Sequence, residues 1–542
     1  MLKGEDRIMD VADYIVVGGG SGGAAVAARL SEDPLNKVLL LEAGGESDRF
    51  LVNMPAGFAR ILTDPRYDWC YLQEPDASIN GRRFLWSAGK MLGGSSAING
   101  LVYIRGTRAD HQRWVDAGCA GWSFDDCLPY FLRSEGFSGQ PNQMHGSHGP
   151  LGVEPMSDPH PLSQSFVEAC AQTGLPILDE YNDGHAEGSF LTLTTQKNSK
   201  RSSTAAAYLT EARKRSNLRI ITGAVAERVL FEGKRAIAVE ANVDGRLQRF
   251  GANAEIILAA GAIGTPALLM RSGVGPAEML KSHGIEMVAD SEEVGRNLQE
   301  HPTVSLNKFV TVDTYNSRMK PWHLVGAMLK YLLQGKGPMA TPAVQAMALA
   351  RSRGDLAAPD LQLHFYPVGY DLGPEILSAA AAEMPKEPVA TIAASVGNPY
   401  SRGEVVLTGR EASDLPSIRH QLLGDPRDVE TLIGACKLIE LIFTSPAFAD
   451  FVKAPRNPPV APESDAGWED YVRRNTNISY HPVGTCRMGG DAEAVVGPDL
   501  KVNGLSGLRI ADASVIPLLP RVNTNATAIM IGERAADFIR QG

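Results

Sequence analysis

The sequence predicts an α/β chain of two domains. One is a Rossmann-like domain built on a parallel sheet and assembled from discontinuous segments; the other is an α+β domain with an antiparallel sheet. Three observations carry that expectation. Residues 12–41 read strand, glycine turn, helix, strand. Glycine-rich strand–loop–helix character returns from about residue 478. The stretch between, about 306–475, is punctuated by proline and has no glycine fingerprint. The expected division is 1–158, 190–305 and 478–542 for the first domain, and 159–189 with 306–477 for the second.

The elements follow in order. Residues 12–17 (ADYIVV) are short, apolar and rich in β-branched side chains, as a buried parallel strand requires. Gly18 to Gly23 form a turn, AAVAARLSED continues as a helix, and Val38–Leu41 is a second strand ending at Glu42. The Ser202, Ser203, Thr204 cluster is suited to cap a helix reaching Lys214. From 218 to 250, four short apolar runs separated by turns suggest a small antiparallel sheet. Glu255 to Gly261 reads as another parallel strand, followed by a helix to Ser272. In Leu361–Tyr366, Leu361, Leu363 and Phe365 share one face, and Gln362, His364 and Tyr366 share the other. Ala528–Arg540 reads as a closing helix.

Composition excludes several classes. The 542 residues carry 52 Lys+Arg against 62 Asp+Glu, a formal charge of −10 with no basic block, so neither nucleic acid nor an anionic membrane is an expected partner. Loose peripheral attachment to a membrane leaves little trace and stays open. The six cysteines lack CxxC or Cys/His spacing, which disfavours a disulfide scaffold or a zinc site and suits a reducing compartment. No metal site is expected. The first residues lack the apolar core of a secretory signal, and no run is long enough for a transmembrane segment, so a cytoplasmic location is expected.

Four motifs carry chemistry. In Gly18-x-Gly20-x-x-Gly23, Gly18 permits the turn, Gly20 lets backbone approach a pyrophosphate, and Gly23 lets helix pack on strand. Glu42, nineteen residues on, is placed to accept from a ribose diol. The motif predicts a dinucleotide and does not choose between NAD and FAD. Gly93, Gly94, Ser95 and Ser96 form a small-residue loop framed by Lys90 and Asn99, suited to a flat or charged ligand. His481 precedes Pro482, which restricts it to extended backbone and suits a base that must hold its aim; a structural histidine is the alternative. Asp512 ends the strand LRIA, and Asn523 to Thr527 precede a helix, where they cap it or point at a ligand.

Together these residues resemble the glucose-methanol-choline (GMC) oxidoreductases. Gly89–Gly106 matches the first family signature and Gly261–Gly275 the second; HPVGTCRMG and the ADAS…NTNATAIMIGERAAD tail complete the set in order. Within the family the chain is similar to bacterial alcohol dehydrogenases of the L-sorbose dehydrogenase kind. The resemblance implies an FAD-binding first domain and a substrate-binding second domain. It implies FAD contacts from Gly18, Gly20, Ser21, Gly23, Glu42 and Ala43, with Gly93, Gly94, Ser95, Asn99, Gly100 and Val102 near the pyrophosphate and ring. Val225 would meet the adenine; Asp512, Ala513, Asn525 and Thr527 complete the implied set. Covalent attachment is not expected, because Ile98 stands where some members carry the linking histidine.

His481 matches the family's catalytic histidine, and Asn523 its second active-site position. The implied reaction is oxidation of a small primary or secondary alcohol, polyol-like or hydroxymethyl, with electrons passing to a quinone, a dye or oxygen. The alternatives are an oxygen-using oxidase of an aromatic alcohol, choline or a hydroxymethyl heterocycle, and a flavin-binding lyase. His364 and Tyr366 are candidates for the substrate pocket. His301 is a candidate for contact with the cofactor domain. His145 and His148 read as loop structure, and Cys486 as a buried thiol.

Overall fold

The computed structural model describes residues 10–140, 142–185, 187–370 and 384–542. Two seven-stranded sheets organise these residues. In the first, Leu218–Ile221, Val38–Leu41, Asp10–Val17, the C-terminal part of Arg246–Leu258 and Leu508–Ile510 pair in parallel. Val38–Leu41 is buried on both faces, as the apolar run requires. The helices Ser21–Leu30 and Asn525–Gln541 pack on one another beside this sheet, closing N- and C-terminal segments into one layer.

Two strand expectations are corrected. Leu218–Ile221 is not part of an antiparallel sheet: it is a parallel edge strand beside Val38–Leu41. Leu247 and Glu255 do not lie in separate strands either. Arg246–Leu258 runs unbroken for 13 residues, antiparallel to Arg235–Val243 in its first half and parallel to Asp10–Val17 in its second. Strand pairing on both sides carries the backbone straight through Gly251. The helix expected from Ser202 is also shorter: Lys200–Arg201 is a strand, and helical turns span Ala205–Ala212, beginning as a π-helix. Ser203 accepts from Ala206 N (3.2 Å), whereas Thr204 is held by Ser96 and caps nothing.

The second sheet is antiparallel, in the order Val452–Asn457, Pro302–Val310, Val389–Val396, Leu361–Tyr366, Ala346–Ala350, Gly188–Leu191. Gly188–Leu191 and Pro302–Val310 each cross a boundary expected from sequence. The alternation in Leu361–Tyr366 divides it as expected: Leu361, Leu363 and Phe365 enter a core shared with Val304, Leu306 and Ile392. Helices Pro161–Gln172 and Pro426–Thr444 cover that face. The opposite face, carrying His364 and Tyr366, looks onto the first sheet across a cavity of about 1500 Å³.

Candidate active site

The cavity begins at the C-terminal ends of the parallel strands, where open α/β sheets bind ligands, and reaches the antiparallel sheet. Val17, Leu41 and Ala259 line one end; Thr303, His364 and Ala393 line the other. Its volume exceeds that of an ordinary small-molecule site and leaves room for a dinucleotide with a second molecule.

At the first end, Gly18 has φ +103°, and a Cβ there would stand 2.4 Å from Ala259 O, so only glycine makes this turn. The helix Ser21–Leu30 starts at Gly20 without a side-chain cap. Its first N–H groups are therefore free for an anion. Beside Gly100 a Cβ would meet nothing within 4 Å, and beside Gly20 only atoms at 3.9 Å. Open backbone of this kind, next to an uncapped helix, fits a pyrophosphate-bearing cofactor. Glu42 is buried, and its oxygens accept from Gly19 N and Gly44 N, each at 2.8 Å. Burial pushes its carboxyl up to about 7 against those bonds. Asp512 accepts from Gly261 N, Ser514 N and the Thr265 hydroxyl, and burial likewise raises it.

Of the residues expected to contact FAD, Gly18, Gly20, Ser21, Glu42, Ala43, Gly94 and Ser95 border the cavity, as do Asn99, Gly100, Val102, Val225, Asp512, Ala513 and Asn525. Gly23, Gly93 and Thr527 stand behind this wall. Gly23 packs where a Cβ would be 2.0 Å from Gly18 O. Gly93 N donates to Gly19 O (2.7 Å) and ties the two glycine loops together. Thr527 is buried within the helix Asn525–Gln541, and Asn525 accepts from Ser21 Oγ (2.8 Å), joining that helix to the first.

At the far end, Asn523 Nδ2 stands 3.0 Å from His481 Nε2, and Gln362 Nε2 donates to Asn523 Oδ1 (2.9 Å). An imidazole whose Nε2 accepts from Asn523 carries its proton on Nδ1. His481 is held well below the ordinary histidine range, first by burial, then by His301 and His364 nearby. It is a neutral ring with a lone pair at working pH. His364, on the cavity face of its strand as expected, is pushed down to about 4 by burial. His301 is not a cavity residue: its ring meets His481 edge-on at 5.4 Å, and its Nδ1 is 2.7 Å from Val396 O.

Sequence reasoning missed Gln362 as a partner and missed Glu300 altogether. The buried Glu300 carboxylate accepts from His481 N (2.7 Å), Ser479 N (3.2 Å) and its neighbour His301 N (2.9 Å). Between its first two donors Tyr480 sits at φ +62°, a left-handed conformation a tyrosine does not adopt without restraint. Glu300 therefore grips the backbone on both sides of a strained residue and aims the histidine that follows. Burial pushes the Glu300 carboxyl up to about 8.

The remaining candidates are structural. His145 bridges Glu135 and Glu180 at 2.8 and 2.9 Å, which raises it to about 9. Cys486 is fully buried, and burial raises its thiol. Among the described residues no cluster of three or more metal-ligating side chains occurs, and no helix is long and apolar enough to cross a membrane.

Comparison with known proteins bears on this geometry. Residues 12–303 and 399–532 match the family models described as GMC oxidoreductase. A protein named oxygen-dependent choline dehydrogenase from Rhizobium johnstonii is 38% identical over 537 residues, 97% of this chain and 95% of the relative. The solved structure of pyridoxine 4-oxidase from Mesorbium loti is 31% identical, with a TM-score of 0.87, covering 98% of this chain and 99% of that one. A formate oxidase structure is 26% identical, with a TM-score of 0.91, covering 99% of each chain.

Proposed function

The chain belongs to the GMC oxidoreductase family and is an FAD-dependent enzyme acting on alcohols, and from that premise we propose that its substrate is an uncharged primary alcohol with an apolar or aromatic body, oxidised to the aldehyde with His481 as general base. The observation that carries the reading is the His481–Asn523 pair, 3.0 Å apart, in the wall of a cavity whose other end is the uncapped glycine turn.

Bound FAD would supply the two-electron acceptor that oxidation of the carbinol carbon requires. The alcohol hydroxyl replaces the Asn523 N–H at His481 Nε2, and the imidazole takes its proton there as the carbonyl forms. Asn523 holds the alcohol oxygen and stabilises the negative charge that grows there, and Gln362 fixes the Asn523 amide. Gly18, Gly20 and Ser21 with the helix N-terminus would hold the pyrophosphate, Glu42 the ribose, and Asp512 with Ala513 the chain leading to the ring.

Side chains support the substrate class. The antiparallel sheet and its loops line the cavity with Val344, Tyr366, Val368, Tyr370 and Met339. The carboxylates in the described lining are Glu42, Asp313 and Asp512. The first and last are bound to glycine-turn backbone, and Asp313 pairs with Arg318 at 3.9 Å and accepts from Ser317 (3.0 Å). A quaternary ammonium finds no carboxylate without a partner in this lining among the described residues. The relatives' names favour the oxidase alternative over the sugar or polyol dehydrogenase expected from sequence, and choline is kept as a second reading because of the relative so named.

The test is anaerobic bleaching of the bound flavin by a benzylic alcohol, a linear aliphatic alcohol, choline and a ketose polyol. Benzylic and aliphatic alcohols are expected to bleach it fastest; choline or the polyol doing so would overturn the substrate class. Admitting oxygen, and in a parallel run a soluble quinone, then identifies the electron acceptor.

A further inference from the structure

The helix Pro321–Gln334 has two apolar faces. Leu324, Met328 and Tyr331 form the inner one, with Tyr331 packed in a small core with Met54 and Ala340. Trp322, Val325, Leu329, Leu332 and Leu333 form the outer one and face solvent, with Trp322 64% and Leu333 80% exposed. A globular helix buries one such stripe and leaves the other side polar. Here the solvent side is apolar as well, interrupted by His323, Lys330 and Gln334. Phe50, itself half exposed, lies edge-on to Tyr331 at 6.4 Å and extends the patch.

Charge distinguishes among possible occupants. The protein carries −10 overall, yet residues 314–354 contain no Asp or Glu; of their cations Arg318, Lys330, Arg351 and Arg353 pair with acids outside the stretch, which leaves Lys320 and Lys336. Lys320 and Lys336 flank the helix at its two ends, and neither has an ion-pair partner among the described residues. Lys320 Nζ lies over the Trp322 ring at 5.5 Å. An apolar stripe ended by tryptophan and free lysines matches a surface with an apolar interior and an anionic rim. A second copy of this chain would bring like charge to both ends. The helix has 14 residues, about 21 Å at 1.5 Å per residue, too short to span a bilayer and suited to lie in its interface.

We propose that Pro321–Gln334 docks the enzyme on an anionic phospholipid surface. The helix also borders the active-site cavity through Trp322, His323 and Met328, so docking sets the cavity mouth against the membrane. An apolar alcohol or a lipid-soluble electron acceptor then exchanges with the bilayer. The docking itself does not rest on the substrate proposed above.

The test uses the FAD-loaded enzyme in sedimentation with phosphatidylcholine vesicles, with and without about a quarter phosphatidylglycerol. Wild type is expected to pellet with the anionic vesicles and less with pure phosphatidylcholine. Leu329→Glu/Leu332→Glu, away from the cavity lining, is expected to lower partitioning at least about tenfold while keeping flavin and turnover with a soluble dye. Lys320→Gln/Lys336→Gln is expected to reduce binding to the anionic vesicles alone and to flatten its salt dependence. Wild type that stays in the supernatant overturns the proposal. So does a dimer by light scattering that Leu329→Glu/Leu332→Glu converts to monomer without any effect on vesicles, which would assign the patch to a second copy.

Discussion

The two ends of the cavity are each steadied by a buried carboxylate that grips backbone, and they differ in what the grip serves. Glu42 holds Gly19 N and Gly44 N and keeps a glycine turn open for the cofactor. Glu300 holds Ser479 N and His481 N and keeps one imidazole on target across a left-handed Tyr480. Glu42 reaches a partner 23 residues away within one β-α-β unit, and Glu300 reaches partners 179 and 181 residues away. The turn that meets the cofactor is thus written locally, in backbone shape, although Val225, Asp512 and Asn525 join its wall from distant segments. The chemistry is assembled from distant side chains.

That contrast predicts separable losses. Among the groups around His481 the largest is at Asn523: Asn523→Ala is expected to lower the rate of flavin reduction about 100-fold with flavin retained, the order found when one donor to a growing oxyanion is removed. Gln362→Met is expected to cost less, and the double variant little more than Asn523→Ala alone, because Gln362 acts through the Asn523 amide. Additive losses in a double-mutant cycle would break that link.

The mirror pair comes next. Glu300→Gln turns one of two accepting oxygens into a donor facing backbone N–H, and is expected to lower turnover per bound flavin about tenfold and to shift its pH profile. Glu42→Gln is expected to weaken FAD retention by about the same factor while turnover per bound flavin stays unchanged. If Glu300→Gln instead released flavin, the division between the two ends would fail.

The smallest effect is on stability with pH. Burial depresses His111, His301 and His364 to about 4 and His420 to about 3, so the stability they contribute is present above their ordinary value near 6.5 and is lost as pH falls toward 4. Glu42, Glu300 and His145 are raised, to about 7, 8 and 9, so their contribution is lost as pH climbs through those values. A melting temperature that peaks near neutral pH and drops by several degrees on either side is expected by calorimetry. Monotonic behaviour from pH 5 to 9 would contradict it.

How much of this was legible follows the same local-versus-distant rule. The Gly18–Glu42 unit could be read because turn, helix dipole and acid lie within one short stretch. Leu361–Tyr366 announced its two faces by alternation. His481 and Asn523 stood out through family resemblance rather than spacing, and nothing local indicated that they would meet across 42 positions. Gln362 and Glu300 were invisible because their partners come from other segments. The outer stripe of Pro321–Gln334 escaped notice because apolar residues surround that helix on most sides, and only burial shows which face is covered. The long strand Arg246–Leu258 was split because local sequence does not show that a strand changes partners halfway.

The central claim is that His481 is the base. Its most direct test is stopped-flow reduction of the flavin by the best alcohol under anaerobic conditions in His481→Ala, compared with wild type at equal flavin content. Loss of about 1,000-fold in the reduction rate, with flavin absorbance and melting temperature retained, is the predicted result. Reduction at the wild-type rate would contradict the account and return His481 to a structural role.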